Sequence, residues 1–320
     1  MPSTNTSLES SPNKSNLISA AARGNEITGL SMYEDTNEDI NLERVQKLMS
    51  EMNADVPQGG TDIVFGDKES QRLSFWEPTS KSKSRKAPII VFVHGGSWII
   101  GTYLDSVGSV KVKYLNDLGY AFASVDFALI PSVTVEEQVQ EVADAVSYII
   151  RSSEALGVDP DSVVLMGHSS GAHVVSLVGI DASYAQKAGF DISHLRGIIA
   201  LDGSNYNAAA SIADNTGSIV TNMLHALGSN PERLEAMSPT LHAASPNARA
   251  FLLLHVQRKG DIRQAVEFSI ALKVAGTNVD LHVFEGEGFE GHVTLLMKLG
   301  DEEYPATGVM RKWLEKYAPI

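Results

Sequence analysis

From residue 88 onward the chain alternates between two hydrophobic patterns. The continuous apolar run Ile89–Val93 predicts a strand buried on both faces, and Tyr120–Phe127 with the short apolar runs Val163–Met166, Ile198–Leu201, Phe251–Val256 and Val279–Phe284 are further strand candidates. Between them lie stretches of helical period. Val135, Val139, Val142, Val146 and Ile149 form one apolar stripe over 135–156, with Thr134 and Glu137 spaced as a capping box and Gly157 placed to end the helix. Ala172–Ile180 and Ala265–Ala275, the latter closed by Gly276, are further helices. Strands alternating with helices of this length predict a mostly parallel sheet covered by helices on both faces.

The flanks of this region are less regular. Ile63–Phe65 and Leu73–Trp76 read as a pair of short strands. Upstream, Leu42, Val45, Leu48, Met49 and Met52 recur at helical spacing, and residues 1–28, rich in Ser, Asn and Thr, read as a loose tail. The expected organisation is that tail followed by a single domain over 29–320. Residues 203–245, rich in Ala, Ser and Asn, are expected to make a small helical excursion over the sheet, a cap above the site.

Composition narrows the possibilities. At 320 residues, 43% hydrophobic and 20% charged, the chain has ordinary globular composition. No apolar run approaches the ~20 residues needed to span a bilayer, and the first residues have neither the basic nor the apolar segment of a secretory signal. With no cysteine at all, disulfides, thiol nucleophiles and cysteine-ligated zinc are excluded. The expectation is a cytoplasmic protein with no membrane partner. A formal net charge of −14 argues against nucleic acid as a partner. The one dense basic run, Lys81–Lys86, reads as a solvated loop.

Two motifs carry chemistry. Gly167-His168-Ser169-Ser170-Gly171 fits G-x-S-x-G and lies between the run Val163–Met166 and the helix Ala172–Ile180, the strand–turn–helix setting that exposes a nucleophilic serine at a sharp turn. Directly after the run Ile89–Val93 stands His94-Gly95-Gly96-Ser97-Trp98. Its two glycines let backbone N–H groups approach a carbonyl oxygen, so Gly95, Gly96 and the residue after the nucleophile, Ser170, are the candidate oxyanion donors. Of the nine histidines, His292 sits in a Gly-rich loop after the last strand and before an apolar helix, where the order Ser, acid, His requires the general base. His94 reads as a brace of the oxyanion loop, and His282 lies within a strand. His168 and His173, five apart, do not share a helix face as a zinc-binding HExxH pair would, so no metal or other cofactor is expected.

HGGSW followed by GHSSGAH resembles the hormone-sensitive-lipase-like esterases of the α/β-hydrolase fold, and most closely their HGGxW subgroup of kynurenine formamidases and feruloyl- and acetyl-esterase-like hydrolases. Asp126-Phe127-Ala128-Leu129 with Pro131 is similar to that family's Asp-Tyr-Arg-Leu-x-Pro segment, with Phe127 and Ala128 departing from it. The resemblance covers about residues 60–318. Ser97 in place of a third glycine favours the HGGxW subgroup and small substrates. The resemblance places the base at His292 and the acid at Asp261, after the strand Phe251–Val256. Asp202, at the end of Ile198–Leu201, is the rival. The reaction implied is two-step hydrolysis of a small carboxylic ester by Ser169, with Trp98 walling the acyl side of the pocket. An N-formyl aryl amide is the alternative substrate, and a non-catalytic small-ligand receptor is the alternative of another class. Nothing in the sequence sets the oligomeric state.

Overall fold

The computed structural model describes residues 56–80, 86–104, 107–244 and 246–320. The expected tail, the helix expected over 42–52 and most of the Lys81–Lys86 run lie outside them. The described residues build one eight-stranded sheet from β1 (Thr61–Val64), β2 (Arg72–Trp76), β3 (Ala87–Val93), β4 (Ala121–Val125), β5 (Val158–His168), β6 (Leu195–Leu201), β7 (Ala250–Gln257) and β8 (Asn278–Glu287). Their spatial order is β1-β2-β4-β3-β5-β6-β7-β8. The β1/β2 and β2/β4 pairs are antiparallel and all pairs from β4 to β8 are parallel. This is the α/β-hydrolase arrangement that the sequence predicts.

The inner strands β3–β7 are almost wholly buried, whereas the edge strand β8, with Asp280 and His282 in its run, is largely half-buried or exposed. Alternate residues of one strand feed two separate cores. Ile89, Val91 and Val93 of β3 belong to one, with Ala265 and Phe268 from α4 (Lys259–Val274) and the stripes of α2 (Val135–Arg151) and α3 (Ser170–Ile180). Ile90 and Phe92 belong to the other, with Leu115 of α1 (Ser109–Leu118), Leu295 of α5 (Gly288–Lys298) and Trp313 of α6 (Pro305–Tyr317). Helices therefore cover both faces.

The sequence signals for α2 hold in detail. Thr134 Oγ1 accepts from Glu137 N, and the Glu137 carboxylate accepts from Thr134 N. The helix pauses at Ser152, resumes over Ser153–Leu156 and stops at Gly157, whose φ of 68° is left-handed. One boundary differs from expectation with consequences for the site. α4 begins at Lys259, six residues before Ala265, because Lys259-Gly260-Asp261 forms a polar first turn that carries no apolar period. Asp261 is thus the first-turn acid of a helix, where the dipole favours a negative charge, rather than a residue of the preceding loop.

Within residues 203–244 lie short helices at Ala208–Asp214, Gly217–Leu227 and Pro231–Ala236. Arg233 pins the last of these to α2 through a two-pronged ion pair with Glu136, Nε to Oε1 at 2.7 Å and Nη2 to Oε2 at 2.8 Å. Among the described residues no helix is long and apolar enough to cross a membrane.

Candidate active site

The site is assembled at the carboxyl ends of β3, β5, β6 and β7. Ser169 joins β5 to α3 and is held at φ 56°, ψ −121°, a conformation costly for any residue with a side chain and one that thrusts the hydroxyl out of the turn. Glycine is required on either side of it: a Cβ at Gly167 would strike the backbone of Gly171, and one at Gly171 would strike the backbone of Val93 and His94. Ser169 N donates to Leu201 O of the neighbouring strand at 3.0 Å, which ties the elbow to β6.

The HGGSW segment leaves β3 beside this elbow. A Cβ on Gly95 would come within 2.8 Å of His168 O and 3.0 Å of Ser169 Cβ, so only glycine lets this backbone lie so close to the serine. Ser97 and Trp98 both have positive φ, 51° and 65°. The unusual path is fixed from behind, because Trp98 O accepts from Gln138 Nε2 at 2.8 Å and from Ile130 N at 3.0 Å. His94 braces the loop as expected. It is fully buried, its Nδ1 lies 2.7 Å from Gly95 O, and its ring stacks on Phe127 at 4.3 Å. Phe127, the departure from the family's tyrosine, is therefore the floor under that histidine.

His292 sits in the first turns of α5 and is 4% exposed. Its Nδ1 is 2.6 Å from Asp202 Oδ2. A nitrogen this close to a carboxylate must carry the proton, which leaves Nε2 unprotonated, as a general base needs. Asp202 is completely buried, with φ 43° at the end of β6. It also accepts from Val256 N at Oδ1 (3.1 Å) and from Arg258 Nη1 at Oδ2 (2.8 Å), with His255 Nδ1 3.3 Å from Oδ1. Despite the cost of its burial, Arg258, His255 and His292 together hold this carboxyl well below the usual carboxylate range. Burial first, then the charge of Arg258, lowers the pKa of His292, and Asp202 opposes both.

The contact expected for Asp261 is thus made by Asp202. Asp261 is one side chain further away, paired with Arg258 Nη2 at 2.7 Å, and burial pushes its carboxyl up. The reason is local. The positive φ of Asp202 turns its side chain back beneath α5, so it has no need to cross the site, whereas Asp261 rides on the first turn of α4 with the guanidinium interposed. His168 precedes Ser169 in the elbow. It is buried, donates from Nε2 to His292 O at 3.1 Å, and lies 4.2 Å ring to ring from His292. Burial drives its pKa well below the ordinary value, so it is a neutral brace on the backbone of His292. His173 is likewise buried neutral, its pKa lowered to about 4, with Nε2 2.8 Å from Met237 O.

Ser97, Trp98, Ser169, Ser170, Asp261 and His292 all line one cavity of about 60 Å³. Ser204, Asn205, Asn215, Ile219, Asn222 and Met223 of the excursion complete it. Arg258 lines it too and went unread in the sequence, as did His255. The one available signal for Arg258 was its place three residues ahead of an aspartate, at the end of a strand whose neighbour also ends in one. Among the described residues no group of three or more His, Asp or Glu side chains is arranged to hold a metal ion.

A family model described as BD-FAE matches residues 75–272, a stretch that takes in the oxyanion loop, the elbow and Asp202. The chain belongs to the BD-FAE family. It is similar to the isoprenylcysteine alpha-carbonyl methylesterase of Arabidopsis thaliana, 25% identical over 239 residues that cover 70% of this chain and 55% of that protein. It is also 23% identical to the kynurenine formamidase of Danio rerio, over 82% of this chain and 84% of the relative. The matched stretch spans 31% to 55% of the length of the first plant methylesterases, so it accounts for about half of them or less. Among solved structures, esterase 2 of Thermogutta terrifontis with butyrate bound superposes with a TM-score of 0.65 at 19% identity, covering 82% of this chain and 96% of that one. Esterase B of Lactobacillus rhamnosis does so with 0.67 at 15% identity, covering 94% and 93%. At such identities these two likenesses speak for the fold.

Proposed function

We propose that the chain hydrolyses small carboxylic esters through an acyl-enzyme, with Ser169 as nucleophile, His292 as general base and Asp202 as the acid that orients it. The observation that carries this reading is the pairing of two unusual arrangements in one cavity. A serine is held at positive φ beside a glycine backbone, and an imidazole has its far nitrogen fixed by a buried carboxylate. Ser169 attacks the carbonyl carbon while its proton passes to Nε2 of His292. The oxyanion is received by N–H groups of Gly95, Gly96 and Ser170. The imidazolium then protonates the leaving alcohol, and a water molecule, deprotonated by the same nitrogen, releases the acid and restores the serine. The excursion over 203–245 acts as the cap that closes the cavity. Supporting this reading, the plant relatives are named methylesterases and a structural neighbour was solved with butyrate.

A second reading, hydrolysis of an N-formyl aryl amide, draws on the formamidase relative, whose likeness runs over most of both chains. The same machinery would cleave it, with an amine in place of the alcohol. Rates on p-nitrophenyl acetate and butyrate, on simple alkyl acetates and on N-formylkynurenine separate the readings. Ester turnover exceeding formamide turnover is expected. The reverse order would transfer the proposal to the formamidase, and stoichiometric binding without turnover of either would make the chain a receptor.

A further inference from the structure

Ester hydrolysis as just described makes no use of Arg258, yet this side chain touches both members of the pair that activates the serine. Its Nη1 lies 2.8 Å from Asp202 Oδ2 and 3.1 Å from His292 Nδ1, while its Nη2 lies 2.7 Å from Asp261 Oδ2. The contact with His292 cannot be a hydrogen bond. Nδ1 already gives its one proton to Asp202, so two N–H donors face each other across 3.1 Å and share a single acceptor oxygen. With neutral imidazole that opposition is mild. Once His292 is protonated it becomes a contact between two cations in a buried site, where charges interact far more strongly than in water.

We propose that Arg258 is a positioning residue for the triad, holding a fixed positive charge against the edge of His292 that must become cationic, with Asp261 as its anchor. The proposal rests on the reading of His292 as general base. Asp261 has the place for this task. Three residues further on, in the first turn of α4, it grips the far nitrogen of the guanidinium and keeps it from closing fully over Asp202. The groups facing His292 are Asp202 from β6, Arg258 and Asp261 from the start of α4, His168 from β5 and, behind Asp202, His255 from β7. Only Arg258 brings a fixed positive charge among these, since His168 is held neutral by burial.

The sign of each effect follows. Arg258 disfavours the imidazolium, so the base stays neutral and active at lower pH than an ordinary histidine would. Asp261 favours the imidazolium and tempers that action. The two substitutions must therefore move the titration of His292 in opposite directions, which no merely structural role would do. The test is the side-chain titration of His292 by NMR on the full chain, together with the pH profile of kcat/KM, for the wild type, Arg258→Gln and Asp261→Asn. Arg258→Gln is expected to move both midpoints upward on the order of one pH unit, as loss of a like charge at contact distance does. Asp261→Asn is expected to move them downward, because Arg258 remains on Asp202 with nothing drawing it off. Variants that lower kcat without moving the midpoint, or that move it the same way, would overturn the proposal. Should Arg258→Gln not fold, Asp261→Asn alone decides, since an unchanged or higher midpoint there refutes the anchoring role. The imidazole titration is read without substrate, so a failure of the esterase reading shows separately, as absence of turnover.

Discussion

Replacing Asp202 by asparagine tests the assignment of the acid most directly, because the side chain keeps its shape and loses only charge and one acceptor. The carboxylate accepts on both oxygens: Oδ1 from Val256 N, Oδ2 from His292 Nδ1 and Arg258 Nη1. An amide has a single acceptor oxygen. If that oxygen faces His292, the amide nitrogen is driven against the N–H of Val256. If it faces Val256, the nitrogen meets Nδ1 and forces the imidazole into the tautomer whose Nε2 carries the proton and cannot act as a base. Either way kcat should fall, by up to ~10⁴ where the tautomer is lost, equivalent to about 5.5 kcal/mol of barrier. Stability should fall as well. Breaking a buried ion pair costs roughly 3–5 kcal/mol, and Asp261 retains part of the interaction with Arg258, so the low end, ~3 kcal/mol, is expected. For a domain of this size that lowers Tm by roughly 5 °C. The assay is kcat on p-nitrophenyl acetate beside a thermal melt, with Asp261→Asn measured in parallel and expected to lose less than about tenfold in kcat. A larger fall in kcat from Asp261→Asn than from Asp202→Asn would refute the assignment and restore the acid to the helix.

Ser169→Ala is expected to remove turnover by about six orders of magnitude while leaving the melt within a degree or two of the wild type; residual hydrolysis near the wild-type rate would end the serine mechanism. The cavity of about 60 Å³ walled by Trp98 predicts a preference for acetyl to butyryl esters, with Trp98→Ala extending the range toward longer chains. Rates rising steadily to dodecanoyl esters in the wild type would contradict it. Because burial and Arg258 lower the pKa of His292, and the neutral form is the active one, the acidic limb of kcat/KM should have its midpoint below the ordinary imidazole value of 6.5, and a midpoint above it would show that Asp202 dominates instead. Gly95→Ala places a methyl group at 3.0 Å from Ser169 Cβ and should cost about 10²–10³ in kcat by displacing the oxyanion donors, with a smaller effect on KM.

Much of this arrangement is legible in the chain because it is written in local terms. The elbow needs glycine at 167 and 171, the capping box needs Thr134 and Glu137, and strands buried on both faces need unbroken apolar runs; each shows within a few residues. The identity of the acid is different in kind. Asp202 and Asp261 both follow strands in the parallel sheet, and the choice between them turns on a positive φ at Asp202 and on α4 starting at Lys259. Neither has a period or a composition to reveal it. Arg258 was silent for the same reason, since its meaning comes from two carboxylates that are 56 residues and 3 residues away. Family resemblance favoured Asp261, which stands one side chain away from the contact that Asp202 makes with His292.

The hydrogen bond from Ser169 N to Leu201 O has a mechanical consequence. Ser169, the proposed nucleophile, leaves β5; Asp202, the proposed acid, follows Leu201 on β6; that bond fastens the first residue to the strand end that carries the second. Two of the three proposed catalytic groups therefore belong to one rigid piece of sheet, and their separation is as constant as the spacing of adjacent strands. His292 arrives from elsewhere, on the first turns of α5. In the proposed triad the one coordinate that the sheet does not set is the seating of α5, and His168, donating from β5 to the backbone carbonyl of His292, fastens it.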